Sequence, residues 1–177
     1  MSRYKAYLKC DKMKGSTKVA GFEQAITLMQ ITAPTVDNRL DSSRAAPRTA
    51  GEPDFAPVLV KMEVGKDCVE SLQAMAKGEN IGKVEFLIVE SHHKDAQPKV
   101  TITSLNTYVT FWGISFEPQR TLDADPGNNS PISGTGVIVT VEFTGTELQI
   151  EYAEVGQDQQ AKGKVTAKYN RLNQDAS

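Results

Sequence analysis

The chain has 177 residues and a formal net charge of −2, which is enough length for one sizeable domain. The small net charge gives no electrostatic basis for binding nucleic acid or an anionic membrane surface. The N-terminal residues lack the apolar segment of a Sec-type signal peptide, and no apolar run in the sequence is as long as a membrane span. We therefore expect a single globular domain over residues 1–177, with no Sec signal and no membrane insertion.

The first part of the chain predicts two β-strands. Residues 3–10 alternate apolar and polar side chains with the period of two that is typical of a half-buried strand. Residues 22–32 predict a second strand, in which the apolar phase shifts between Leu28 and Met29. Such a shift indicates a bulge or a change of burial within the strand.

A long connection over residues 33–57, called the arm below, contains four prolines and little β pattern. A loop of this length inside a compact domain is usually functional or disordered. The sequence leaves two interpretations open: a surface loop, or an arm that becomes ordered against a neighbouring subunit. In the second case Val36, Leu40 and Phe55 are the apolar anchors, and Arg48 belongs to the same predicted subunit interface.

The best helical segment in the sequence is Asp67–Lys77. Asp67 is a candidate N-cap, because its carboxylate can accept from free N–H groups of the first turn and a glutamate follows three residues later. Leu72 and Met75 share an apolar stripe, which we expect to be buried against the sheet. Gly78 supplies the left-handed residue that commonly ends a helix.

The remaining pattern predicts a mainly β fold. Residues 83–90 are apolar on both faces, which indicates a central strand, and in residues 108–116 we expect Val109 and Phe111 on the face opposite Trp112. About nine short strands with regular turn signals predict a β-barrel or a two-sheet sandwich with one flanking helix. The strands after the arm are predicted over residues 58–64, 83–90, 100–105, 108–116, 137–143, 147–155 and 164–172.

The sequence offers little catalytic chemistry. His92 and His93 are adjacent, so they point to opposite sides of an extended chain, and no third ligand lies nearby for a metal. A phosphate-binding loop, a nucleophile elbow and a Ser-His-Asp spacing are all missing from the sequence. Cys10 and Cys68 are expected to be reduced thiols, as in a chain that folds in the cytoplasm. We expect neither an enzyme nor a cofactor.

The order of short motifs along nearly the whole chain resembles the Hcp family, the tube proteins of bacterial type VI secretion systems. It is the order of these motifs that carries the resemblance. The motifs are Lys14-Gly15-Ser16 after the first strand, Arg48-Thr49-Ala50-Gly51 before the strand with Val60-Lys61, Lys66-Asp67, Ser71-Leu72 and Lys77-Gly78 in the helix, Leu148-Gln149-Ile150-Glu151-Tyr152, and Ala161-Lys162-Gly163.

The resemblance implies a structural protein without catalytic activity. Six copies would form a ring, and rings would stack into a tube that a contractile sheath expels together with effectors. The implied partners are other copies of the chain and the sheath, spike, baseplate and effector proteins. The implied location is the cytoplasm during assembly, followed by secretion. A small-ligand carrier with a barrel interior stays open as an alternative from the residues alone.

Stacking of rings requires contacts at the two ends of the subunit, and two loops of opposite charge are candidates. Lys12, Lys14 and Lys18 lie in a loop after the first strand, and Asp123 and Asp125 lie in the long polar loop over residues 117–136. We expect these residues to meet between successive rings.

Overall fold

The computed structural model describes residues 4–32, 34–38, 53–90, 97–116, 136–155 and 161–170. This part of the chain contains eleven strands and one helix. Their bounds are β1 Tyr4–Cys10, β2 Ile26–Leu28, β3 Gln30–Thr32, β4 Val36–Asn38, β5 Pro53–Phe55, β6 Val58–Glu63, α1 Lys66–Lys77, β7 Gly82–Glu90, β8 Pro98–Phe116, β9 Val137–Thr144, β10 Glu147–Val155 and β11 Ala161–Asn170.

Nine of these strands form one hydrogen-bonded sheet, which confirms the mainly β fold with a flanking helix. The order is β2-β1-β7-β8-β9-β6-β3, with β10 paired to β8 and β11 paired to β10, and β4 and β5 form a separate pair. The barrel interpretation is wrong, because β2 and β3 at the ends of this order do not pair and the sheet is not closed. Each has three residues, and the Met29 N–H between them donates to Lys61 O at 2.8 Å.

Strand β8 links two layers of the molecule. Its first part lies between β7 and β10, and its second part, from Tyr108 onward, pairs with β9. The sequence predicted two strands here, whereas the structure has one strand of 19 residues. The change of partner coincides with Asn106, whose φ of 48° lies in the left-handed region that asparagine tolerates.

The core fills the space between the layers. Strand β7 is central, as predicted, with Val84 and Phe86 buried on one face and Leu87 and Val89 on the other. The rings of Phe86 and Phe143 meet edge to face with centroids 5.6 Å apart, so β7 and β9 face each other across the core.

Helix α1 covers β8 with its smallest side chains. Cys68, Ser71 and Ala74 are its buried residues, and the indole N–H of Trp112 donates to Cys68 O at 3.0 Å. The predicted burial of Leu72 is wrong, since Leu72 is 36% exposed; Met75 is partly buried against the core, as expected. The small side chains of Cys68, Ser71 and Ala74 recur every three residues and allow the helix axis to approach the strand. The helix therefore contacts the sheet through these small residues and not through the stripe that carries its largest apolar side chains.

The two ends of the helix differ in how well they were predicted. Gly65 is the N-cap and no side chain caps the helix, so the assignment of Asp67 as N-cap is wrong. The helix begins at Lys66, which places Asp67 inside the first turn, where a carboxylate still interacts favourably with the helix dipole. Gly78 ends the helix with φ of 60°, as predicted.

Candidate assembly surfaces

The root of the arm is attached to its own subunit. Strands β4 and β5 pair with Val36 opposite Phe55. Phe55 is 3% exposed, and its ring meets that of Tyr169 edge to face at 5.3 Å. The expectation that Phe55 anchors a neighbouring subunit is therefore wrong, because its side chain is already buried in its own core. Val36 is 52% exposed and free to contact a partner, whereas Leu40 and Arg48 lie outside the described residues.

The loop with the three predicted stacking lysines runs beside residues 24 and 25. Gly15 donates its N–H to Gln24 O at 2.8 Å. A Cβ atom at Gly15 would lie 2.2 Å from Ala25 O, which explains why this position of the Lys-Gly-Ser motif requires glycine. Lys14 and Lys18 are exposed.

Lys12 is bound within its own subunit. Its Nζ lies 2.5 Å from Glu79 Oε1 and 2.8 Å from Asn80 O. The hydrogen bond and charge of Lys12 lower the pKa of Glu79. The three lysines therefore lie in one loop, and Lys12 already forms contacts within its own subunit. Asp123 and Asp125 lie outside the described residues.

The second part of β8 exposes large apolar side chains. Phe111 is 49%, Ile114 58% and Phe116 71% exposed. A register shift between Val109 and Phe111 sets Val109 opposite Phe143 and Phe111 opposite Glu142. The expectation that Val109 and Phe111 share a face is wrong, because the extra residue at the bulge reverses the alternation.

Residues 108–116 also form a sheet edge. Within the described parts of the chain they pair with β9 on one side and with no strand on the other. The segment contains neither a proline nor a charged residue, although natural proteins usually protect an exposed edge with such residues. The absence of charge is the sequence signal by which this surface was identifiable before the structure.

A second apolar surface lies on the hairpin of β10 and β11. Tyr152 pairs with Val165, and these side chains are 43% and 72% exposed. Tyr152 and Val165 lie on the same face of the hairpin as Leu148, which is buried in the core. This apolar face is therefore covered by the core at Leu148 and exposed to solvent at Tyr152 and Val165. The sequence predicted this strand without indicating that its apolar side chains lie in solvent.

The described residues bear on the metal-site and ligand-carrier alternatives. They contain no group of histidine, cysteine and acidic residues that could hold a metal, and no helix among them is long and apolar enough to cross a membrane. Burial raises the pKa values of Cys10 and Cys68, which disfavours the reactive thiolate. A ligand carrier would need a barrel interior, whereas side chains such as Phe86 and Phe143 fill the space between the layers.

The fold and these surfaces define a class: an antiparallel β protein with a filled core and two exposed apolar strand segments, as expected of an assembly subunit. The protein-family model described as "Type VI secretion system effector, Hcp" matches residues 7–152. The chain belongs to the Hcp family, the structural, secreted tube proteins of type VI secretion systems. The comparison with curated proteins gave no match.

Solved structures of low sequence identity share the fold. A protein described as a type six secretion system protein is 18% identical with a TM-score of 0.78, over 98% of this chain and 99% of that one. Hcp1 from Salmonella typhimurium is 13% identical with a TM-score of 0.69, over 99% and 100%. A type VI secretion system effector from Yersinia pestis is 14% identical with a TM-score of 0.62, over 93% and 98%.

Proposed function

We propose that the protein is the ring-forming subunit of the inner tube of a type VI secretion system. Hexameric rings stack into a tube, which sheath contraction expels together with effectors. The observation that carries this proposal is the pair of exposed apolar segments on one subunit, residues 108–116 and the β10–β11 hairpin. Family membership gives independent support.

The two segments differ, so a contact between them is heterologous: one segment of each copy meets the other segment of the next. Such head-to-tail contacts form a closed ring when the rotation between copies divides the circle. Burial of apolar surface contributes about 25 cal/mol per Å², and exposed side chains such as Phe116 and Val165 supply that surface. The exposed Val36 makes the arm a candidate for a second contact between the same copies.

The partners and route follow from the same proposal. The tube is assembled in the cytoplasm, where both free cysteines stay reduced, and it meets the sheath, spike, baseplate and effector proteins there. It then leaves the cell through the secretion system itself.

The proposal is tested by light scattering after size exclusion and by electron microscopy of the full chain. We expect six-fold rings with a central hole from the wild type, and monomers from Ile114→Glu, because a buried unpaired charge opposes association. Val69→Glu is the matched control, since Val69 is a similarly exposed residue, 53% against 58% for Ile114, on helix α1. A wild-type protein that stays monomeric at high concentration would overturn the proposal.

A further inference from the structure

We propose that residues 104–107 of β8, called the corner below, set the angle between the two apolar surfaces of the subunit and thereby the number of copies that close a ring. The two surfaces are residues 108–116 and the β10–β11 hairpin. This inference rests on the proposed ring and names residues that determine its size. The corner acts on the rotation between neighbouring copies, whatever bonds join them.

The chain connects the two surfaces at the corner. The second part of β8 carries residues 108–116, while its first part pairs with β10 and so holds the hairpin. Alongside, β9 leads through the turn at Gly145 and Thr146 into β10. Tyr108 pairs with residue 144 at the end of β9, and Leu105 pairs with residue 147 at the start of β10. β8 and this turn therefore cross from one layer to the other side by side.

Hydrogen bonds attach the corner to both of its neighbours. Asn106, with its φ of 48°, donates from Nδ2 to Thr146 Oγ1 at 3.2 Å. The Thr146 N–H donates to Leu105 O at 3.0 Å, and the Ile81 N–H donates to Thr107 O at 2.8 Å. The corner is thus bonded to the β9–β10 turn on one side and to the residue before β7 on the other.

Two buried hydroxyl groups close the inside of the corner. Thr107 is 0% and Ser104 2% exposed, and Thr107 Oγ1 donates to Ser104 Oγ at 2.9 Å. Buried polar groups are costly to leave without a partner. A Cβ atom at Gly145 would lie 2.1 Å from Ser104 Oγ and 2.8 Å from Leu105 O. These close contacts leave the angle of the corner little room to vary.

A small change of this angle is enough to alter a ring. A heterologous contact closes when the rotation between copies divides the circle, so six copies require about 60° and seven about 51°. The two closures differ by roughly 9° at each contact. A subunit whose two surfaces varied by that angle would give rings of mixed size, so a single ring size requires a rigid corner.

Substitutions that widen the corner test this role in the full chain. Gly145→Ala places a methyl group against Ser104 Oγ. Thr107→Val is the milder variant, because a methyl group cannot stay at the hydrogen-bond distance of 2.9 Å from Ser104 Oγ. We expect native mass spectrometry and electron microscopy to show six copies in the wild-type ring, and a different number or a mixture in each variant that circular dichroism shows to be folded.

Two matched controls separate the angle of the corner from stability. Thr107→Ser keeps a hydroxyl donor for Ser104 and should keep the wild-type number. Ile102→Val, at a core position 2% exposed on the same strand, weakens packing away from the corner and should also keep it.

The outcomes distinguish this inference from the proposed function. If folded Thr107→Val keeps the wild-type number, or Ile102→Val changes it, the corner does not set the ring size and the proposed ring stands. If the wild type forms no ring, the proposed function fails first and this inference fails with it.

A distance within one subunit gives a second measurement. Spin labels are attached at Ser115→Cys and Thr166→Cys, which are exposed positions on the two surfaces, in a Cys10→Ser background of the Ile114→Glu variant that we expect to be monomeric. We expect pulsed electron paramagnetic resonance to give a narrow distribution of distances that Gly145→Ala or Thr107→Val shifts and Ile102→Val leaves unchanged. The same distribution in the corner variants would overturn the inference, because it would show that these residues do not control the angle.

Discussion

At the scale of single residues, the contact between Lys12 and Glu79 joins the loop after β1 to the end of helix α1. The Glu79 carboxylate accepts from Lys12 Nζ, and the same amine donates to Asn80 O. This arrangement holds the loop in place on its own subunit. A role for Lys12 in stacking would require this contact to be exchanged for one with the next ring.

The lowered pKa of Glu79 gives a pH dependence with a defined sign. A carboxyl group with a lower pKa in the folded state stabilises the fold above its unfolded pKa and loses that contribution as the pH falls through its folded pKa. We expect Glu79→Gln to be less stable than wild type near pH 7 and equal to it in strong acid. Denaturant midpoints measured across this range test the prediction, with Glu154→Gln as the control on an exposed strand. A difference that does not change with pH would contradict it.

The same scale shows where sequence reasoning reached its limit. The alternation of residues 108–116 is visible in the sequence, but the bulge that turns Phe111 away from Val109 is set by pairing with β9. Phe55 was expected to anchor the arm on a neighbouring subunit, whereas its side chain is buried in its own subunit. Its burial against Tyr169 depends on a strand more than a hundred residues later in the chain, which no local pattern reports.

At the scale of elements, one feature of helix α1 was predictable from the sequence and another was not. Its end at Gly78 follows from the conformational freedom of glycine and was predictable. Its buried face was not, because the apolar periodicity selects Leu72 whereas close packing on β8 selects Ser71. The hydroxyl of Ser71 donates to Cys68 O at 2.7 Å, so even its polar group is satisfied within the helix.

Because Ser71 and not Leu72 is buried against the sheet, we expect a substitution at Ser71 to destabilise the fold more than truncation of the larger and more hydrophobic Leu72. Ser71 is 0% exposed, so Ser71→Leu forces extra atoms into a filled contact, which typically costs about 1–3 kcal/mol. Leu72→Ala removes a side chain already in contact with solvent, and we expect it to cost less than the roughly 2–5 kcal/mol of a core truncation. Urea unfolding of both variants gives the comparison. A larger loss for Leu72→Ala than for Ser71→Leu would show that the helix packs by the stripe expected from the sequence.

At the scale of the whole molecule, the mainly β fold and the central place of β7 were predictable from alternation and from a segment apolar on both faces. Whether the sheet closes into a barrel was not predictable, because closure requires its two terminal strands, β2 and β3, to pair with each other. In the proposed ring, the open order of the sheet leaves strand edges and apolar faces available for contact between copies. A closed barrel would have had no such edges.

In the proposed assembly, stacking of rings is the last level, and we predict that it depends on charges at the ends of the subunit. Lys14 and Lys18 are exposed in the loop after β1, and Asp123 and Asp125 are their proposed counterparts. Contacts between exposed charges contribute about 0–1 kcal/mol each and are screened beyond roughly 8 Å at physiological salt. Single rings should therefore persist in solution, and long tubes should form at high concentration or low salt.

Reversing the acidic charges tests this contact without disturbing the ring. We expect Asp123→Lys with Asp125→Lys to keep the ring, because the proposed contact within the ring lies on β8 and β11, and to lose tubes under electron microscopy at low salt. Glu63→Lys with Glu154→Lys is the control, because it changes the net charge of the protein by the same amount at positions outside the proposed stacking contact. Adding Lys14→Asp and Lys18→Asp to the first pair restores opposite charges across the interface, so tubes should return. Normal tubes from the first double variant would show that these residues do not join the rings.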